Sequence, residues 1–280
     1  MARADDYRRE SRARWGAAAT GWERRRDAMR RITMPVSAWM VDAIDPQPGQ
    51  TVLEVAAGPG DTGFLAAELI QPGGTLITSD FAPEMLTVAQ RRAEELGITN
   101  VRFKQIDAES IDLDAGTIDG VLGRWGYMLM ADRAAAVRET RRVLRDGGAV
   151  SFSVWGAPED NQWASAVSRI LMQRGHMEPP ESDAPGIFAL SDPARIQQLF
   201  GDAGFGPPQL EEVRVTWRFD DFEHFWRYTN EIAGAVAMVI RQLDEREQAE
   251  VRRDLETALD GFKVGDGYEM PGVCINGLAR

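Results

Sequence analysis

The stretch VLEVAAGPGDTG, residues 52–63, runs from apolar residues straight into a loop of small ones. It holds a literal G-x-G-x-x-G at Gly58, Gly60 and Gly63, a spelling shared by loops that bring a ligand close to bare backbone. Such a loop, set between a strand and a helix N-terminus, suits adenosine ligands of more than one kind. The residues around the glycines discriminate. Glu54 stands in the strand end, two residues before Ala56. A pyrophosphate has no use for an acid there, whereas a ligand carrying a cationic amino group does.

Working outward, apolar segments of strand and helix length alternate. TVLEVA and TLITSD predict strands, and TGFLAAELI and PEMLTVAQRRAEEL predict helices, the second ended by Gly97. VRFKQID and IDGVLGR predict two more strands. Asp132 caps a helix through RETRRVLR that Gly147 and Gly148 stop, and AVSFSVW returns as a strand. This alternation predicts βαβ units and a parallel sheet with helices on both faces. Upstream, Trp15, Ala18, Ala19, Trp22, Met29 and Ile32 recur at helical spacing until DPQPG breaks the pattern. Downstream, Asp192 caps a helix over SDPARIQQLFGDAGF, QLEEVRVTWRF predicts a strand, two helices fill 220–261, and MPGVCINGLA closes as a strand. The expected organisation is one domain, 48–280, with a helical lid segment at 1–47 and inserted helices at about 158–190 and 220–261.

Composition narrows the classes. The 280 residues carry a net charge of −12, which argues against a nucleic-acid surface. Residues 1–31 are the exception, with ten arginines against five acids. A solvated helix face is the plainer reading of that run, and a contact with an anionic substrate or partner is the other. No apolar run approaches the roughly 20 residues needed to cross a bilayer. The N-terminus lacks an apolar signal region, so a cytoplasmic location is expected. The lone Cys274 allows neither an internal disulfide nor a cysteine metal cluster, and IDLDAG reads as a turn rather than a calcium loop; no metal is expected.

Residues 50–155 resemble a class I S-adenosylmethionine-dependent methyltransferase, most of all the branch of the ubiquinone/menaquinone-biosynthesis C-methyltransferases and many small-molecule methyltransferases. VLEVAAGPG matches that family's first motif, with Ala56 where the first glycine usually stands; alanine is tolerable there if its φ stays negative. LITSDFAPEML, FKQIDAES, IDGVLGRWGYML and RRVLRDGGAVSFSVWG match the following motifs in order. The resemblance implies a Rossmann-like three-layer α/β sandwich with a mostly parallel seven-stranded sheet, an antiparallel last strand and helical lid insertions. It implies S-adenosyl-L-methionine as cofactor, held by Glu54, Ala56, Gly58, Pro59 and Gly60 at the loop. Asp80, with Phe81 and Met85, would hold the ribose side, and Asp107, Ala108 and Glu109 the adenine amine. Arg124 would stand nearest the transferring methyl group.

Methyl transfer from a sulfonium needs alignment and an apolar, water-poor site more than it needs a fixed base. The candidates for proton handling are Arg124, His176, His224 and Tyr228. His176 lies in QRGHMEPP, a loop that either covers the site or faces water. His224 points away from a stripe of Phe222, Phe225, Trp226, Ile232, Val236 and Ile240, which is core or acceptor wall. Arg124 either pairs with Glu54 or Asp107 or meets a carboxylate or phenolate of the substrate. Trp125, Tyr127 and Trp155 are expected to wall the acceptor, with Trp15 and Trp22 above and Phe225 from the inserted helices. The expected acceptor is a small aromatic or quinone-like molecule. Two rival readings stay open, an NAD-linked oxidoreductase and a non-catalytic adenosine-ligand-binding module, as do the methylated atom and the oligomeric state.

Overall fold

The computed structural model describes residues 2–280 apart from 182 and 233, and leaves aside the side chains of 2, 3, 232, 234 and 235. Ile232 of the expected aromatic stripe therefore lies outside the described side chains. In chain order the elements are α1 (Ala2–Ile44), β1 (Thr51–Glu54), α2 (Asp61–Leu69), β2 (Thr75–Asp80), α3 (Pro83–Leu96), β3 (Val101–Gln105), β4 (Ile118–Arg124), α4 (Arg133–Val143) and β5 (Leu144–Trp155). Then follow α5 (Gln162–Gln173), α6 (Pro193–Asp202), β6 (Gln209–Phe219), α7 (Phe222–Ile232), α8 (Gly234–Gln242), α9 (Glu245–Ala258), β7 (Lys263–Val264) and β8 (Gly267–Ala279).

The sheet runs β3-β2-β1-β4-β5-β8-β6, with the two-residue β7 paired to β8. Strands β1 to β5 are parallel and β8 runs antiparallel to β5, pairing Val150 with Ala279 and Trp155 with Cys274. Val52, Leu53, Leu76, Val121, Leu122, Val150 and Phe152 are fully buried in it. Continuous apolar burial along β1 and β2, rather than alternation, is what a parallel sheet covered on both faces requires.

The chain divides into two compact units: residues 1–156, 185–213 and 274–280 form one, and 157–184 with 214–273 form the other. The first holds α1 together with β1 to β5. In the second, Trp163 stacks on Trp217 at 3.9 Å, and Gly272 leaves room for both rings. Val251 and Leu255 of α9 are fully buried there.

Three local expectations change. The helix before β5 ends at Val143, not at the glycines: Leu144 already has extended backbone (ψ 133°) and pairs with Ile118. The next pairing is Gly120 with Ala149, so residues 145–148 bulge out of β5, and Gly147 makes the bulge at φ 76°. Among the described residues, 220–261 hold α7, α8 and α9 rather than two helices, and Asp244 starts the last of them with a capping box to Glu247. Ala56 adopts φ 50°, against the expectation that it keeps a negative φ.

Candidate functional site

A cleft of about 970 Å³ of empty space, counting its open mouth, lies in the first unit at the carboxyl ends of β1, β2 and β4 and just beyond β3. The sheet order reverses between β1 and β4, and that is where open α/β sheets bind ligands.

Each strand end delivers a polar group. Glu54 closes β1 and is buried; its Oε1 accepts the Gly63 N–H of α2 at 2.9 Å, while Oε2 has no hydrogen-bond partner. Burial pushes this carboxyl up to about 8, against the pull of that amide and of Arg124. A Cβ at Gly63 would run into Oε2, so the third glycine of the G-x-G-x-x-G run makes room for Glu54 rather than for a ligand. Asp80 closes β2 and is buried, accepting the N–H groups of Gly58 and Ala82, each at 2.9 Å. Burial raises its carboxyl to about 6. Asp107, two residues past β3, accepts the Glu109 N–H at 2.9 Å. Glu109 takes the Ala131 N–H at 2.7 Å on one oxygen and the Arg8 guanidinium on the other.

Gly58 (φ 54°) has nothing within 4 Å of where a Cβ would stand, so its backbone is open on the cleft side. Ala56 supplies the methyl group that a usual glycine lacks, and it faces the backbone of Gly126: a Cβ on Gly126 would stand 2.8 Å from it. The cost of its left-handed backbone is on the order of 1–2 kcal/mol.

Arg124 ends β4. Its Nε donates to Thr62 Oγ1 at 2.9 Å, and Thr62 shares a second hydrogen bond at 2.8 Å with Ser37 of α1. The guanidinium lies 4.6 Å over the Trp125 ring, and its Nη1 is buried without a partner. Burial lowers its basicity, while the fields of Asp61 and Glu54 oppose that shift. Trp125 itself holds φ 59° and stacks on Trp155 at 4.4 Å.

Helix α1 forms the remaining wall. Tyr7, Ser11, Trp15 and Trp22 face the cleft, and Ala19 packs with Ala82, Met85 and Val88 of the α3 side. Tyr7 Oη donates to the Leu129 carbonyl at 3.0 Å.

Of the residues expected from sequence, Glu54, Ala56, Gly58, Pro59, Asp80, Phe81, Met85, Asp107, Ala108, Glu109 and Arg124 line one cleft, with Trp15, Trp22 and Trp125 beside them. Gly60 does not line it; at φ 87° it starts α2, and a Cβ there would strike Phe64. Tyr127 is corrected from acceptor wall to core: it is fully buried, bonded to Thr140 Oγ1 at 2.8 Å and edge-on to Phe152 and Phe200. The left-handed turn at Trp125 redirects the chain and sends Tyr127 inward. Trp155 lies behind Trp125 rather than on the cleft. Phe225, Tyr228 and His224 belong to the second unit, all against Phe219, with Phe225 fully buried edge-on to it at 5.0 Å. His224 is half-buried, its Nδ1 accepting the Asp220 N–H at 3.3 Å. His176, also in the second unit, is half-buried just past α5 and donates its N–H to the Leu171 carbonyl. Sequence reasoning missed Tyr7, Arg8 and Ser11; the signal was present, since Tyr7, Ser11 and Trp15 recur every four residues.

Among the described residues no helix is long and apolar enough to cross a membrane, and no cluster of His, Cys, Asp and Glu could hold a metal ion. The sequence profile of the ubiE/COQ5 methyltransferase family matches residues 36–172. The chain is 31% identical over 175 residues to the nocamycin O-methyltransferase of Saccharothrix syringae, covering 62% of this chain and 60% of that enzyme. It is 28% identical over 175 residues to the ubiquinone/menaquinone biosynthesis C-methyltransferase UbiE of Cellvibrio japonicus, covering 59% of this chain and 70% of that one. The chain spans only 50% to 66% of the curated relatives it matches at 31–38% identity. Among solved structures, the YcgJ protein of Bacillus subtilis shares the fold with a TM-score of 0.57 at 20% identity, over 86% of this chain and 97% of that one. Motif order, profile and fold agree: over residues 36–172 the chain is similar to the ubiE/COQ5 methyltransferase family.

Proposed function

We propose that the protein transfers the methyl group of S-adenosylmethionine to a small aromatic or quinone-like acceptor in the cleft beneath α1. One observation carries the choice of cofactor. The Gly58 and Gly63 amides, which a pyrophosphate would need, already donate to Asp80 and Glu54. A dinucleotide would have to displace two buried acids and then lie beside them, which the field of ionised Asp80 opposes. The same acids suit adenosylmethionine. Glu54 lines the cleft with a carboxyl suited to a cationic amino group, Asp80 faces the ribose hydroxyls, and Asp107 with Ala108 holds the adenine edge. The open backbone at Gly58 admits the ligand closely.

The cofactor supplies a methyl group on a sulfonium, transferred with its C–S bonding pair left on sulfur. The chain's own part is to align and to exclude water: Trp15, Trp22, Leu129 and Met130 give the cleft apolar walls. No histidine lines it. The printed names of the relatives, an O-methyltransferase and a quinone C-methyltransferase, support a small-molecule acceptor.

A melting scan tests the reading. S-adenosylhomocysteine at about a thousand times its dissociation constant adds roughly 4 kcal/mol to the folded state, raising the transition by on the order of 10 °C. NAD at the same excess leaves it in place. The opposite pattern would return the protein to the oxidoreductases.

A further inference from the structure

Among the described residues two cations line the cleft, Arg8 and Arg124. Arg8 is satisfied by Glu109 and by Asp5. Arg124 is not: among the described residues no carboxylate lies within ion-pair distance of it, and Nη1 is buried with no hydrogen-bond partner. A buried guanidinium N–H left bare is costly, and it persists where a ligand completes it. Its placement is also fixed on two sides. Thr62 holds Nε, and Ser37 of α1 holds Thr62. The Trp125 ring lies 4.6 Å beneath, itself backed by Trp155.

We propose that the acceptor binds as an anion, an ionised phenol or enol lying on the Trp125 face with its oxygen on Arg124; the inference rests on the methyl-transfer reading of the cleft. Methyl transfer needs a nucleophile that has shed its proton, yet no histidine lines the cleft, and its Glu54 and Asp107 belong to the proposed cofactor contacts. Asp80 is held by two backbone amides and Glu109 by Arg8 and the Ala131 amide. A fixed cation solves this differently, because it lowers the pKa of the bound hydroxyl so that the proton leaves to solvent on binding. The acceptor's oxygen or conjugate carbon then supplies the electron pair of the new bond. Anion and sulfonium end as neutral ether, or neutral carbon product, and neutral thioether, so charge and protons balance. A flat acid also matches the aromatic floor and the apolar walls, which a flexible carboxylic acid would not fill.

The cofactor carries a carboxylate of its own, and the experiment separates that source from the acceptor. Dinitronaphthol, ionised at neutral pH, and unsubstituted naphthol, neutral there, are titrated into the S-adenosylhomocysteine complex by calorimetry. The wild type is expected to bind the ionised naphthol roughly ten- to a hundredfold more tightly, the worth of a hydrogen bond to a charged group. Arg124→Gln removes that preference and leaves S-adenosylhomocysteine affinity within about threefold. Thr62→Val, which removes only the hydroxyl that aims the guanidinium, lowers the preference by about threefold or more and carries the test should Arg124→Gln fail to fold. A preference that survives these substitutions overturns the proposal, as does equal or absent binding of both naphthols by the wild type. A fall in S-adenosylhomocysteine affinity with the preference intact overturns it too, and assigns the guanidinium to the cofactor's carboxylate. Failure of the wild type to bind S-adenosylhomocysteine overturns the methyl-transfer reading instead.

Discussion

The two halves of the cleft are built on opposite rules. On the side of β1, β2 and β3 every acid is already engaged by backbone: Glu54 by Gly63, Asp80 by Gly58 and Ala82, Asp107 by Glu109. At the end of β4 the charged group is held by a side chain, Thr62, and keeps one N–H bare. Amides belong to the strands and the helix start, so the first half is rigid before any ligand arrives. Side chains are exchangeable, so the second half can change its ligand without disturbing the sheet. The difference separates what a methyl-transfer fold must keep from what one enzyme is free to choose.

The comparison breaks most easily at Asp80. Asp80→Ala removes the acceptor of two backbone amides as well as the proposed ribose contact. S-adenosylhomocysteine affinity is expected to fall by roughly a hundredfold, and the melting temperature with it, since hydrogen bonds to a charged group are worth about 1.5–3 kcal/mol each. Unchanged calorimetric affinity would show that the glycine loop does not depend on its acid.

The acids also predict a pH dependence. Burial raises Glu54 to about 8 and Asp80 to about 6. An acid whose folded pKa lies above its unfolded value stabilises the fold least once it must ionise, so stability falls as pH rises. The window opens near the ordinary carboxylate range and runs to about 8, with its upper part due to Glu54 alone. Denaturant unfolding of the ligand-free protein at mildly acidic and mildly alkaline pH should differ by a few kcal/mol, and Glu54→Gln should flatten the alkaline part. A decline of the same size in Glu54→Gln would place the titrating group elsewhere.

Two smaller effects sharpen the contrast. Tyr7→Phe loses one hydrogen bond from α1 to the Leu129 carbonyl, about 1 kcal/mol, and should speed amide exchange along the first turns of α1 while β1 to β5 keep their protection. Ala56→Gly relieves a left-handed alanine at some cost in unfolded-state entropy, for a net gain of about 0.5–1 kcal/mol in thermal unfolding. A loss there would mean that the alanine methyl packs usefully against Gly126.

Much of this cleft was legible because its acids sit at strand ends, and strand ends are where apolar runs stop. Glu54 could be placed from the apolar run it ends, and Asp80 and Asp107 from the resemblance of their motifs. What could not be read depends on backbone conformation at single residues. Ala56 and Trp125 take positive φ without being glycine, and nothing in their side chains announces it. The turn at Trp125 is why Tyr127, two residues on, was placed on the wrong side. The bulge at 145–148 hid the start of β5, because paired glycines read as a stop wherever they follow a helix. Phe225 failed for another reason: the period of α7 shows that it has a buried face, not what buries it.

Helix α1 is a single span from Ala2 to Ile44 with Pro35 inside it, and Val36, Met40 and Val41 beyond the proline are buried. Proline supplies no N–H to the preceding turn, which makes its position the weakest in the rod. Val36 is also tied through its carbonyl to Asn276 of β8. From that pivot to Tyr7 the rod measures about 42 Å at 1.5 Å per residue, so a tilt of roughly 5° would carry Tyr7 about 4 Å. That travel exceeds the reach of its hydrogen bond to Leu129. Along the shaft, Glu23 with Arg91 and Arg26 with Glu95 add surface ion pairs, weak restraints each, to the packing of Ala19 on Ala82, Met85 and Val88. A tilt of that size would leave the sheet end of the helix in place while breaking the Tyr7 contact at the other.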